Sequence, residues 1–228
     1  MPIKNKERGI TLIELLIAMV LGIVVTGGII TVFATTVRYN SDNLQMIRLN
    51  QELRGVMSLI SRDLRRAGYH NSAAVTTTYL DTFGGADTGT YGFDDCIYFA
   101  YDIDGDGVTE DTDYFAYKLE ANEIKTGDKG IGAFNCTNAD DWESLTEYDS
   151  TSDDRSDVQI TELQFVPECS IAGGTVATGN FASCNAGTGV EVRNIIVTIT
   201  GQVVTPVDNT VISRTLTETI KLRNDSGV

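Results

Sequence analysis

The chain has 228 residues, with 17 Lys and Arg against 32 Asp and Glu, a net charge of −15 and a single histidine. That length accommodates one substantial domain plus an appendage, and a hydrophobic content of 42% can supply a core, which excludes a wholly disordered chain. So acidic a protein does not coat nucleic acid through its general surface, because phosphate binding needs a basic footprint.

The N-terminus reads as a basic address followed by an anchor. Lys4, Lys6 and Arg8 precede 28 residues, Ile10 to Val37, whose only charge is Glu14. As a helix this run would measure about 42 Å, more than the ~30 Å hydrocarbon core of a bilayer. Basic residues ahead of it predict a cytoplasmic N-terminus, with the rest of the chain outside. An ordinary secretory signal is shorter and is cut beyond its apolar region. Here the abrupt boundary lies before the run, at Gly9. A carboxylate at a helix centre in a membrane costs on the order of 2.5 to 3.5 kcal/mol, so Glu14 is expected either to find a compensating charge or to stay wet at headgroup depth.

The helical signal continues past the apolar run, because Met46, Leu49, Leu53, Val56, Met57, Ile60, Leu64 and Ala67 recur at spacings of three and four. One helix from Thr11 to Ala67, stopped by Gly68, is predicted, its second half laying an apolar stripe on a globular domain. Gly22, Gly27 and Gly28 each weaken it by up to ~1 kcal/mol relative to Ala, and local unwinding is expected there.

Beyond Tyr69, short β-branched and aromatic runs predict strands at Val75–Leu80, Cys96–Tyr101, Tyr114–Leu119, Val158–Val166, Val190–Val204 and Val211–Leu222. A break near Pro206, Asp208 and Asn209 makes the last two a hairpin, and 81–95 and 127–157 read as loops. An antiparallel sheet laid on the C-terminal half of the helix buries the apolar faces of both, an α+β head.

Charge is unevenly placed along this plan. Residues 81–157 hold 21 acidic and four basic residues, net −17, whereas 38–66 hold six arginines against Asp42, Glu52 and Asp63, net +3. Opposite signs on one chain suit docking between copies or related subunits, and equally suit two solvated faces.

Inside the acidic region, Asp102, Asp104, Asp106, Glu110 and Asp113 stand at positions 1, 3, 5, 9 and 12 of a twelve-residue loop, with Gly107 at 6 and the Val108 carbonyl at 7. That is the ligand spacing of an EF-hand calcium loop, and Ca2+ in a structural role is expected. Position 12 is Asp where Glu is usual, and the flanks read as strands, so the loop would join a hairpin.

Cys96, Cys136, Cys169 and Cys184 fall in the part predicted to lie outside the cytoplasm, where disulfides persist. Of the three pairings available, Cys96 with Cys136 and Cys169 with Cys184 are favoured, the second closing a Gly- and Ser-rich loop. No Cys-x-x-Cys, Gly-x-Ser-x-Gly, phosphate-cradling glycine loop or histidine pair is present, and His70 alone at the helix end suits a polar or capping role. Nothing in the sequence indicates an enzyme.

The stretch Arg8-Gly9-Ile10-Thr11-Leu12-Ile13-Glu14-Leu15 resembles the processing site of type IV prepilins and type II secretion pseudopilins. The resemblance implies a prepilin peptidase/N-methyltransferase that cuts between Gly9 and Ile10 and methylates the new amine of Ile10. It further implies that Glu14 pairs with the N-terminal amine of a neighbouring subunit during assembly. Major pilins commonly carry Pro where this chain has Thr31. The segment Arg48–Arg54, continuing to Ser61-Arg62-Asp63-Leu64-Arg65-Arg66-Ala67-Gly68-Tyr69, resembles PilW-type minor pilins and J-type minor pseudopilins.

On that resemblance the chain divides into a leader (1–9), a transmembrane or filament-core half-helix (10–37), an amphipathic half-helix (38–68) and a pilin-like, β-rich head (69–228). The implied protein is a minor pilin held in the inner membrane before assembly and joined to other pilin subunits through its helix. Its expected work is to initiate a type IV pilus, near the tip, in support of adhesion, motility or DNA uptake. A J-type pseudopilin and a calcium-dependent adhesin on a pilin stem are the rival readings.

Overall fold

A computed structural model describes residues 9–69, 96–108, 110–128, 142–146, 148, 158–171, 177–178, 191–205 and 210–222. The predicted strand Val75–Leu80, His70, the leader before Gly9, and the bodies of the loops at 81–95 and 129–141 lie outside the described residues, as do Cys136 and Cys184. The chain divides into two units, Met1–Leu44 and Gln45–Val228.

In the first unit, helix α1 (Leu12–Leu64) begins immediately after Thr11. The Thr11 hydroxyl accepts a hydrogen bond from the Glu14 amide at 3.3 Å, an N-cap that satisfies one of the amides a helix start leaves unpaired. Apolar side chains from Leu12 to Phe33 are exposed all round, Leu12 by 81% and Phe33 by 69%. The unwinding expected at Gly22, Gly27 and Gly28 does not occur, since helix runs through all three. The Thr26 and Thr31 hydroxyls donate to the carbonyls of Gly22 and Gly27, at 2.7 and 2.9 Å. The Thr36 hydroxyl bonds the Val32 carbonyl in the same way at 2.9 Å, so this back-bond belongs to threonine in a helix and does not depend on glycine.

In the second unit α1 becomes amphipathic. Leu49, Leu53, Val56, Met57, Ile60 and Leu64 are buried, the predicted stripe, and each full burial is worth about 1.5 to 3 kcal/mol. Helical geometry ends in a turn at Gly68, whose φ of 77° is the left-handed conformation that glycine adopts without cost.

The head holds two four-stranded antiparallel sheets rather than the one expected. The first, in order β1-β2-β3-β4, comprises β1 (Cys96–Ala100), β2 (Tyr114–Glu120), β3 (Glu123–Asp128) and β4 (Trp142–Ser144). The second, in order β6-β5-β7-β8, comprises β5 (Gln159–Ile171), β6 (Ala177–Thr178), β7 (Glu191–Val204) and β8 (Val211–Lys221). Strand β3 escaped the sequence reading because only Ile124 in it is a large apolar residue. Its turn signal is Ala121-Asn122, both at positive φ, as a tight two-residue hairpin requires. Strand β4 lies inside the stretch expected to be loop, its Trp142 ring packed 3.2 Å from where a Cβ on Gly127 would stand. Strand β5 runs past Pro167, which pairs with Ile195 of β7 and falls just before the short pairing with β6. The β7–β8 hairpin holds as predicted, closed by the Thr205 amide on the Thr210 carbonyl at 2.9 Å.

Both sheets and the helix share one core. Ile97, Phe99 and Tyr117 from the first sheet, and Ile160, Phe165, Ile195, Val197 and Ile199 from the second, pack with the buried stripe of α1. Strands β5 and β7 alternate apolar and polar residues and offer one face to this core, and the first sheet brings an aromatic group to it. Phe99, Tyr101, Phe115 and Tyr117 make up that group, with Tyr101 and Phe115 stacked at 4.4 Å.

Candidate functional site

The processing region lies at the start of the stem. Gly9 and Ile10 precede the helix in extended, exposed chain, and Glu14 occupies the first helical turn, also exposed. A carboxylate there is favoured by the partial positive charge of the helix start and remains open to a cationic partner.

At the other end of α1 the chain turns along β1 into the acidic loop. The Gly68 amide donates to the Ala100 carbonyl and the Asp102 amide to the Tyr69 carbonyl, each at 2.9 Å, so the loop begins on the helix end. Asp102 is 2% exposed; its Oδ1 accepts from the Gly105 amide at 2.6 Å and its Oδ2 from the Gly107 amide at 3.0 Å. Asp104 accepts from the Asp106 amide and Asp106 from the Val108 amide. Gly105 and Gly107 both take positive φ, 76° and 77°, which lets the loop fold in on itself. Carboxylate oxygens of Asp102, Asp104 and Asp106 come within 4.8 Å of one another.

Of the six positions predicted as metal ligands, these three form the cluster. Val108 and Glu110 lie beside it in the same loop, both exposed. Asp113 is buried and accepts from the Ile103 amide at 3.1 Å and the Glu110 amide at 2.9 Å, and so ties the two ends of the loop together. An aspartate at this position is one methylene shorter than the usual glutamate, and its carboxylate is engaged by backbone amides. Three carboxylates gathered in this way offer hard oxygen donors of the kind that calcium takes.

Cys96, at the start of β1, is disulfide-bonded. The sulfur it joins lies outside the described side chains, as do the side chains of Cys136, Cys169 and Cys184.

Between stem and loop sits a buried charge that the sequence did not single out. Asp63 is 5% exposed; its Oδ2 accepts from the Tyr117 phenol at 2.5 Å and its Oδ1 from Arg62 Nε at 3.3 Å. Burial first, and then the Asp63 carboxylate, push the Tyr117 phenol far above its ordinary range. Burial and Asp63 also raise Tyr101, opposed by Arg66, whose guanidinium lies 6.0 Å over the ring. The only signal for Asp63 in sequence was an acidic residue at a helix position facing the core, one turn from Ile60 and Ala67. The loop aromatic Trp142 is half-buried and faces the Lys118 ammonium at 4.3 Å.

Two family models match the chain. Residues 4–30 match the prokaryotic N-terminal methylation motif, and residues 42–222 match prepilin peptidase-dependent protein B. The chain belongs to the prepilin peptidase-dependent protein B family. No curated protein and no solved structure shows a significant match to it.

This prepilin peptidase-dependent protein is therefore pilin-like, and its two matches divide between anchor and head. The methylation motif takes in Gly9, Ile10 and Glu14 together with the first half of the exposed apolar helix. That helix is long and apolar enough to cross a membrane, and with the motif it fits a membrane-anchored pilin that is assembled into a pilus. The second match begins just before the buried stripe of α1 and ends with the last described residue of the head, so the acidic loop, the Asp63–Tyr117 pair and both sheets lie within it. Sequence reasoning found the motif and the loop, whose residues are contiguous. It missed Thr11 as a cap, although Thr11-x-x-Glu14 is the spacing of a capping box.

Proposed function

We propose that this protein is a minor pilin of a type IV pilus. The reading rests on one observation: a methylation-motif stem, apolar and exposed on all sides, carried by a head that has its own closed core. The prepilin sits in the inner membrane with its head in the periplasm; the peptidase cuts between Gly9 and Ile10, and the Ile10 amine is methylated. In the membrane, and then in the filament, the apolar side chains from Leu12 to Phe33 are covered by lipid and afterwards by neighbouring helices. Glu14, held in the first turn by the Thr11 cap, meets the amine of a neighbouring subunit, which offsets the cost of a carboxylate in that setting. Threonine at position 31, in place of the proline of major pilins, favours a low-abundance subunit that initiates assembly and lies near the tip.

The test is quantitative mass spectrometry of sheared surface filaments. A trace component whose N-terminal peptide begins with N-methylated Ile10 is expected. A processed form confined to membranes would replace this reading with a type II secretion pseudopilin, and an intact Met1–Gly9 leader in membranes would overturn both.

The loop from Asp102 to Asp113 holds a structural calcium ion in this reading. Asp104 and Asp106 make no ion pair among the described residues, and three carboxylates within 4.8 Å repel one another unless a cation lies between them. Bound calcium would supply that charge, and these residues would hold it where the loop leaves the helix end. Titration calorimetry with calcium chloride is expected to show binding at millimolar or lower concentration, and its absence sinks the assignment. Cys96 pairs with Cys136, and Cys169 with Cys184, which non-reducing peptide mapping checks.

A further inference from the structure

The last turns of α1 and strand β8 leave between them a groove of about 710 Å³. Four guanidinium groups line it, those of Arg54, Arg62, Arg65 and Arg66. Two carboxylates partly answer them: Asp63 pairs with Arg62 at 3.3 Å, and Glu218 on the β8 side pairs with Arg65 at 3.0 Å. Arg54 makes no ion pair among the described residues, and Arg62 and Arg65 remain 60% and 46% exposed, so the groove carries surplus positive charge.

We propose that this groove binds an extended acidic polypeptide segment of a neighbouring subunit. The dimensions select this ligand over a small anion. Arg54 and Arg62 are eight residues apart, about 12 Å along the helix, so a ligand that meets both without drawing their side chains toward one point spans that length. An extended segment rises about 3.3 Å per residue and presents alternate side chains on one face, so acidic residues at i and i+4 stand ~13 Å apart. One carboxylate then meets Arg54 and the other meets Arg62 and Arg65, where a planar guanidinium binds both oxygens of a carboxylate. Met57 and Leu216 give the groove an apolar floor. The head of this chain itself carries the complementary charge, since its residues 81–157 are net −17. The segment's origin in a pilin neighbour rests on the function proposed above; the groove's chemistry does not.

The experiment uses the full chain in a neutral detergent, with a fluorescent 20-residue polyglutamate peptide as probe. Saturable binding that weakens with salt is expected, and polyglutamine of equal length should not bind. Arg54→Gln with Arg62→Gln should weaken it at least about tenfold. Lys125→Gln, away from the groove, should leave it unchanged. Affinity indifferent to the arginine substitutions would overturn the proposal. So would inorganic phosphate competing at equal affinity, which marks a small-anion site, or capture by phosphatidylglycerol vesicles in preference to the peptide. Loss of the groove leaves the filament measurement intact, so the two readings fail separately.

Discussion

Asp63 shows how one residue's role depends on what the fold brings to it. In sequence it stands among Arg62, Arg65 and Arg66, with only its place on the helix to mark it; in the head it is 5% exposed and accepts the phenol of Tyr117, 54 residues away. Removing that donor leaves a buried carboxylate oxygen without its bond, so Tyr117→Phe should destabilise the head by about 1 to 3 kcal/mol, read as a lowered midpoint in thermal unfolding of the full chain in detergent. The same pair sets an alkaline limit. Tyr117 holds its proton more tightly folded than unfolded, where its pKa is 10.0, so its contribution is complete below pH about 10 and is lost as the pH rises above that value. Unfolding midpoints measured from pH 8 to 11 should fall at the alkaline end, and less steeply in Tyr117→Phe.

At the scale of elements, the stripe on α1 was legible because a helix repeats its faces every 3.6 residues, and the strands of the second sheet because theirs repeat every two. Their contact was not legible. Leu49 and Leu53 press on Gly201 of β7, where an added Cβ would stand 3.0 Å from a methyl carbon of each. Both leucines are fully buried and have little room to retreat. Gly201→Val should therefore cost about 2 kcal/mol through overpacking, even though valine is the better strand former, and the sign of the change in unfolding midpoint decides between these two effects. In the sequence Gly201 gave only the generic signal of a glycine within a strand, a place of close approach.

Across the whole molecule, the division at Leu44 separates an exposed apolar stem from a head whose core begins at Leu49. Every buried residue of that core lies beyond the stem, so a chain beginning at Gln45 should fold without detergent and unfold at the same temperature as the full chain. Circular dichroism and size exclusion check this: a monomeric, cooperatively unfolding product is expected, while the full chain without detergent should aggregate through its exposed apolar helix. If the truncated chain is molten instead, the stem contributes to the core in a way its exposure does not reveal.

What the sequence determined by itself was whatever depends on neighbours along the chain. The methylation motif around Gly9, Ile10 and Glu14, the length and period of α1, its stop at Gly68, and the twelve-residue acidic loop are all encoded within a few turns of backbone. The tertiary structure decided what depends on distant segments. It set two sheets in place of one, admitted β3 and β4 on pairing rather than on intrinsic strand preference, and tied the two ends of the acidic loop through Asp113. It also joined Arg65 to Glu218 across 153 residues to form a groove. Those outcomes follow from which faces find cover in a shared core, and no local period in the chain records that choice.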